Sequence, residues 1–438
     1  MKFKISLFLS LFILVCHAQA QTPLTSMLGI PTDSLKDGIY EIKYPNGKLQ
    51  LRARIDDHLP QGVWRYFYEN GEPKEYISYK DGKKNGISRK FDKYGTTINE
   101  ASYNDGKLDG RYQEFYDNGS LALKGEYTEG LRTNTWIEYF PDGAINFRKQ
   151  YKNGKAHGEW TFYYSFGRVR ATENYDNDVA TGTWKTYYPS RYLQKVFNYE
   201  NGLLEGRYSE YHDNGNKSVE GKYHLGLKTG TWINYFPNEK IYATGDYKLD
   251  QKTGVWRYFT ESGTPDHEGK YLNNLKTGQW IYYHTNGSLK MIGSFRADEK
   301  DGLWGLFYKN EQLKQEQDWS MGRLLNVTKF YSIQGEEMDP GTLKNGTGTL
   351  IDYHEDKTVS SFIYYKDGHK DGTARYHFEN GNLIETGPYE NGLRTGLWKE
   401  YHENGNLFSQ GQYEADKKTG VWTIHDENGR QVDLETYE

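Results

Sequence analysis

The chain has 438 residues, 35% of them hydrophobic and 26% charged, and its 60 acidic and 55 basic side chains give a formal net charge of −5. A mildly acidic, well-mixed surface excludes electrostatic capture of nucleic acid, eleven prolines exclude a proline-rich linker, and one cysteine excludes a disulfide framework. With 40 tyrosines, 19 phenylalanines and 11 tryptophans, the core must be built of rings and glycines rather than of leucine, isoleucine and valine.

Residues 1–20 read as a secretory signal peptide: Lys2 and Lys4 supply the positive end, Ile5 to Val15 the apolar run, and Ala18-Gln19-Ala20 the cleavage site. That run is too short to remain as a bilayer span, so no integral membrane segment is expected in the mature chain. Its removal takes away two lysines and leaves 53 basic against 60 acidic residues, a net of −7. Cys16 lies inside this segment behind Val15, where a lipoprotein signal carries a small residue, so the alternative of a lipid anchor at Cys16 is less favoured than plain export. Residues 21–37 form a lead-in that is expected to be loosely ordered.

From Gly38 the chain repeats itself. A glycine ahead of an aromatic recurs at 38, 62, 86, 110, 134, 158, 182, 206, 230, 254, 278, 302, 326, 348, 372, 396 and 420, with every step 24 except one of 22. Fifteen of these seventeen anchors are glycine, and the others, Asn134 and Asn326, also tolerate left-handed backbone. A period of this length marks an array whose units contact mainly their neighbours.

Counting from the anchor as zero, position 2 is Trp or Tyr in thirteen copies and holds ten of the eleven tryptophans, Trp319 being the exception. Position 9 is glycine in thirteen copies, usually after Asn or Asp, as in Asn70-Gly71, Asn214-Gly215 and Asn404-Gly405. Asn-Gly between strand-like runs predicts a hairpin with a type I′ turn at positions 8 and 9. A second turn follows at pairs such as Asp81-Gly82 and Asn391-Gly392, so each unit is two strands and two turns with no place for helix. That turn pairs position n with 17 − n, setting Trp232 opposite Gly245 and Trp280 opposite Gly293, where a ring covers bare backbone. The same face would carry the apolar residues of position 11 and the tyrosine row of position 17, Tyr79 to Tyr413. The expected fold is therefore all-β: an elongated single-layer solenoid of about 17 antiparallel β-hairpin repeats of 24 residues, over residues 38–430.

Position 5 is Phe or Tyr in fourteen copies, although it lies three residues from position 2 and would face the other way in a regular strand, opposite the mostly polar position 12. Either a bulge or a curved, partly covered second face accommodates it, or it forms an aromatic ladder open to sugar rings or a partner's apolar surface. On the second reading Tyr139, Tyr163, Tyr187, Tyr211, Tyr235 and Tyr283 are candidate binding residues, with Trp319 beside them.

The unit YENGLRTGLWKEYHENGNL, Tyr389 to Leu407, resembles the MORN repeat in its bacterial variant form, roughly Y-x-x-G-x-x-x-G-x-W-x-x-Y-x-x-N-G, and the resemblance covers about 390 of the 438 residues. It implies an elongated array of antiparallel hairpins and a non-enzymatic role in binding or assembly; some bacterial members are labelled antitoxin components. It implies no cofactor.

The stretch 311–347 departs most from the pattern, with Trp319, Asn326, Thr328 and Leu350 in unexpected places, a two-residue deletion, and three carboxylates in Gly335 to Gly341. It is either drift and a bend or a partner site. The histidines at positions 5 and 6, among them His212, His284, His354, His377, His402 and His425, read as scaffold substitutes for aromatics, and no catalytic or metal-ligand spacing occurs. Residues 431–438 close the last hairpin with Asp433, Glu435 and Glu438, acids that discourage end-to-end strand pairing. The sequence thus points to an exported bacterial protein, periplasmic, surface-bound or secreted, with an unidentified protein partner; the alternative is an envelope polysaccharide held by the position-5 rings.

Overall fold

The computed structural model describes residues 35–437; the signal peptide, Cys16, residues 21–34 of the lead-in and Glu438 lie outside them. Every regular element in that range is a β-strand, and the chain falls into two compact units, one ending at Gly182 and the other beginning at Thr183. Within each unit the forward and return strands of successive repeats pair antiparallel, neighbour to neighbour, as Leu227–Tyr235 with Ile241–Lys248 and that strand with Gln251–Phe259. Among the described residues no sheet closes on itself as a barrel. The start of the first unit is tied down earlier than the lead-in suggested: Leu35 is buried among Leu51, Ala53, Ile55 and Trp64.

The type I′ geometry expected at the first turn is not found there. At the first turn only position 9 has positive φ, as at Gly71 (93°), and the loop closes by Tyr68 N–H to Glu72 O at 2.8 Å and Gly71 N–H to Tyr68 O at 2.9 Å. This three-residue loop with a left-handed glycine leaves the preceding asparagine at negative φ. Asparagine is there for its side chain: Asn70 Oδ1 accepts from Glu72 N at 3.0 Å, while Nδ2 donates to Lys93 O, 23 residues on, at 2.7 Å. The type I′ turn is the second one, where both residues are left-handed, as Asp81 (48°) with Gly82 (79°) and Asn273 (52°) with Asn274 (71°).

The register n to 17 − n holds for positions 0 to 4 and then breaks. Phe67 pairs with Pro73 and Tyr235 with Ile241, so position 5 faces position 11, and position 12 is the extra residue of a bulge. The bulge moves position 11 off the tryptophan face, contrary to the alternation expected for an unbroken strand. Position 13 takes its place there, with Leu51 and Ala243 buried.

The tryptophans form the core. Trp136, Trp232, Trp256, Trp280, Trp304, Trp398 and Trp422 are each at most 2% exposed. Their register partners are the expected glycines, Trp232 with Gly245 and Trp280 with Gly293. The rings, however, lie over the glycine of the preceding hairpin: a Cβ on Gly221 would stand 2.3 Å from the Trp232 ring, and one on Gly269 would stand 2.1 Å from that of Trp280. The reason is a second bulge. Between the pairs Glu220–Ile233 and Lys222–Thr229, Gly221 is faced by Gly230, Thr231 and Trp232, and the left-handed anchor Gly230 (φ 62°) swings the indole back across it.

An indole can then be held from four sides by groups of the preceding repeat. Trp280 sits on Gly269, donates its Nε1–H to Lys270 O at 3.2 Å, and meets Tyr271 edge-on at 5.1 Å and 88°. Lys276 closes the fourth side with its ammonium 4.5 Å from the ring centre. The same cation position is taken by Lys228, Lys252, Lys300, Arg394 and Lys418, each 4.0–4.5 Å from its own tryptophan. Such a contact contributes about 0.5–2 kcal/mol. Where position 15 is a large side chain the indole is displaced outward: Lys149 occupies that place before Trp160, which is only half-buried, with Nζ 4.7 Å from its ring.

Burial sets the ionisation of this layer. It pushes the lysines at 228, 252, 276 and 300 below their ordinary value, with Lys252 lowered further by its neighbours Lys228 and Lys276. It pushes the phenols up, Tyr79, Tyr223 and Tyr282 to about 12 and Tyr66 and Tyr365 higher still.

Three outcomes follow from this packing. Gly269→Ala should force the Trp280 ring out and destabilise that part of the array by about 1–3 kcal/mol; hydrogen exchange should show loss of protection near Trp280 and little change in distant repeats. Raised phenol values mean that the folded form keeps protons the unfolded chain loses near pH 10, so stability is full below pH 10 and falls as pH rises through about 12. Phenolate absorbance should therefore show a late, cooperative tyrosine fraction that returns to pH 10 in urea. Finally, the last strand, Gln431–Tyr437, pairs only with Lys417–His425 among the described residues and is exposed over residues 431–436. Asp433→Val with Glu435→Val should make light scattering rise with protein concentration.

Candidate binding surfaces

Position 5 is less open than a ring-stacking platform requires. Tyr139, Tyr163, Tyr187, Tyr211, Tyr235 and Tyr283 are all half-buried. Tyr283 donates its phenol proton to Glu268 Oε1 at 3.0 Å, Tyr235 does the same to Glu220, and Lys124 lies over Tyr139 at 5.7 Å. Burial and Glu220 together raise the Tyr235 phenol to about 12. These edges are committed to neighbouring strands, and the bulge at position 12 is what turns the rings toward them. Trp319 does not stand out of register. It occupies position 17, pairs with Gly302, and takes the place of a core tyrosine under Lys300, whose Nζ is 4.6 Å from the ring.

The histidines support the stack. Where position 6 is Tyr or His, its side chain donates to the position-5 carbonyl of the next repeat. Tyr68 Oη reaches Phe91 O at 2.9 Å, His284 Nε2 reaches Phe307 O at 2.9 Å, and His354 Nε2 reaches His377 O at 2.7 Å.

The second-turn edge carries the exposed apolar surface. In the second unit Leu203, Leu225, Leu227, Leu249, Leu272 and Leu275 all stand out at or beside successive turns. Leu225 and Leu249 are 61% and 65% exposed and hold the first turn residue at φ 50° and 52°. The spacing that could have revealed this edge, an aliphatic residue at position 19 or 21, was present in the sequence but is masked there by the far stronger Asp-Gly signal at the same turn.

The irregular stretch makes a second candidate. The sheet that reaches Arg323–Val327 stops there, a two-stranded hairpin pairs Phe330–Tyr331 with Glu337–Met338, and a ten-stranded sheet runs from Gly348 to Tyr437. The core is carried across the gap by Leu324, Leu343 and Leu350, the last filling a tryptophan position. Backbone bonds from Gly346 N to Leu325 O (2.7 Å) and Gly368 N to Gly346 O (2.8 Å) keep the second-turn edge stacked. The first-turn edge is not kept. Ser332, at position 6, is too short to reach the next repeat, and its Oγ accepts from Glu336 N in its own loop.

A pocket of about 380 Å³ opens at that place, floored by Met291, Leu306, Phe307, Tyr308 and Tyr353. Its polar lining comes from His284, Lys290, Lys309 and Lys314 of the repeats before the gap and from His354, Glu355 and Glu379 of the repeats after it. Lys314 is paired with Asp352 at 2.9 Å, and the Tyr308 phenol is pushed up to about 12 by burial and then by Asp352 and Glu355. No single repeat encodes this pocket. It draws on anchors 278, 302, 348 and 372, and only the deletion between 326 and 348 signals it in the sequence.

Among the described residues no helix is long and apolar enough to cross a membrane. No curated protein matches the chain. Solved structures that it resembles include the crystal structure of TcdB2-TccC3-Cdc42, at 9% identity and a TM-score of 0.15 over 90% of this chain and 24% of that one. Another is the Photorhabdus luminescens Tc holotoxin pore, at 11% identity and a TM-score of 0.13 over 93% of this chain and 26% of that one. The chain thus spans about a quarter of the length of these solved chains, and scores so low carry no argument about it. The MORN repeat variant matches eight times, at residues 36–54, 60–81, 108–129, 156–177, 228–249, 276–297, 370–391 and 394–415. With eight such matches recurring on its hairpins between residues 36 and 415, the chain is a member of the MORN repeat variant family.

Proposed function

We propose that the protein is an exported, non-enzymatic repeat scaffold that binds another protein along the second-turn edge of its second unit. The observation that carries this reading is the conformation of Leu225 and Leu249. A bulky side chain in the left-handed region costs about 1–2 kcal/mol relative to the residues that visit it readily, and both leucines leave their side chains in water. Folding gains nothing from leucine at such a site, whereas asparagine stands at the same position in Asn153, Asn201 and Asn391. Successive repeats lie about 10 Å apart at two strands each, so these leucines and their neighbours at 203, 227, 272 and 275 make an apolar edge of the kind that marks a protein contact. The half-buried position-5 rings, of which Tyr235 and Tyr283 are bonded to glutamates, favour this reading over a polysaccharide ligand.

The test separates stability from binding. Leu225→Asn with Leu249→Asn should raise the urea-unfolding free energy by about 1 kcal/mol per site. With residues 21–438 as bait against envelope and secreted fractions, the parent protein should retain a stoichiometric protein that the doubly substituted one loses. Enrichment of polysaccharide without protein, or capture indifferent to both substitutions, would refute the proposal.

A further inference from the structure

The pocket in the irregular stretch has a charge arrangement that points to a ligand of its own. Lys290 and Lys309, from the repeats before the gap, are exposed and take part in no ion pair among the described residues; Glu355 and Glu379, from the repeats after it, are the same. Lys314 is already neutralised by Asp352. The lining therefore holds two free positive charges from the repeats before the gap and two free negative charges from those after it, beside Met291, Phe307 and Tyr353. A simple anion placed there gains from the lysines and is repelled by the glutamates, and a simple cation meets the reverse. A ligand carrying both signs gains at both ends.

The histidines add a hydrogen-bond acceptor from the repeats on either side of the gap. His284 and His354 each donate Nε2–H to a backbone carbonyl, which leaves Nδ1 of the neutral ring as an acceptor. The volume, about 380 Å³, lies at the small end of the range for ligand sites. We infer that the pocket binds a zwitterion of amino-acid to dipeptide size, its carboxylate at Lys290 and Lys309, its ammonium at Glu355 and Glu379, and its side chain on the apolar floor. This site lies on the first-turn edge and does not depend on the protein contact proposed for the second-turn edge.

Calorimetric titration of the full chain with glycyl-phenylalanine tests it, beside the N-acetyl and the C-terminal amide derivatives, each of which keeps one charge. The dipeptide should bind and each derivative should bind at least tenfold more weakly. Lys290→Gln with Lys309→Gln should weaken the dipeptide tenfold or more and leave the amide unchanged. Glu355→Gln with Glu379→Gln should bring the N-acetyl derivative level with the dipeptide. All four residues are exposed, so the thermal midpoint should stay where it was, and a separate thermal scan checks this. A Kd for the dipeptide weaker than about 1 mM, derivatives that bind as well as the parent, or indifference to both pairs of substitutions would overturn the inference.

Discussion

Everything regular in this protein depends on an indole that lies on the bare backbone of the hairpin before its own. Trp280 over Gly269 joins two repeats through a close approach, a hydrogen bond, an edge-on ring contact and a cation, and all four partners belong to the preceding unit. A single-layer sheet has no second layer to bury its apolar side. Here that burial is achieved along the array, with the ring of one repeat roofed by the tyrosine and lysine of another. This explains why the core needs so few aliphatic residues and why glycine recurs mid-strand, where it would otherwise weaken pairing.

The same dependence accounts for the exceptions. Lys149 stands where a glycine would receive Trp160, and that indole moves outward. Glu435 stands at the corresponding place in the last repeat, opposite Trp422, and within the described residues no later tryptophan follows that would need bare backbone there. In the irregular stretch Leu350 replaces the indole, and Leu324 and Leu343 fill the space a larger ring would have taken. The core is thus continued with smaller groups while the first-turn edge falls open.

The two edges of the repeat divide the work. On the first-turn edge, side chains of Asn, Tyr and His carry hydrogen bonds from one repeat to the next, and at the irregular stretch Ser332 bonds within its own loop instead. On the second-turn edge the backbone itself carries the stack, as in Gly82 N–H to Pro60 O at 3.0 Å. Side chains at that edge are free to vary, and leucine appears at left-handed positions that the fold alone would give to asparagine or glycine.

The sequence by itself determined the repeat, the all-strand fold, the hairpin register at positions 0 to 4 and the tyrosine row, because each follows from period, alternation and turn residues that act over a few neighbours. It also placed the scaffold role of the histidines correctly, as His284 shows. The tertiary structure decided the rest. Which glycine lies under which indole depends on two bulges, and a bulge is settled by how strands of different repeats meet rather than by either strand alone. The pocket beside Lys314 depends on residues from four repeats brought to one edge, and the exposure of Leu225 depends on which edge the neighbouring repeats leave uncovered. Local pattern fixes what each hairpin is; only packing between hairpins fixes what is left open to bind.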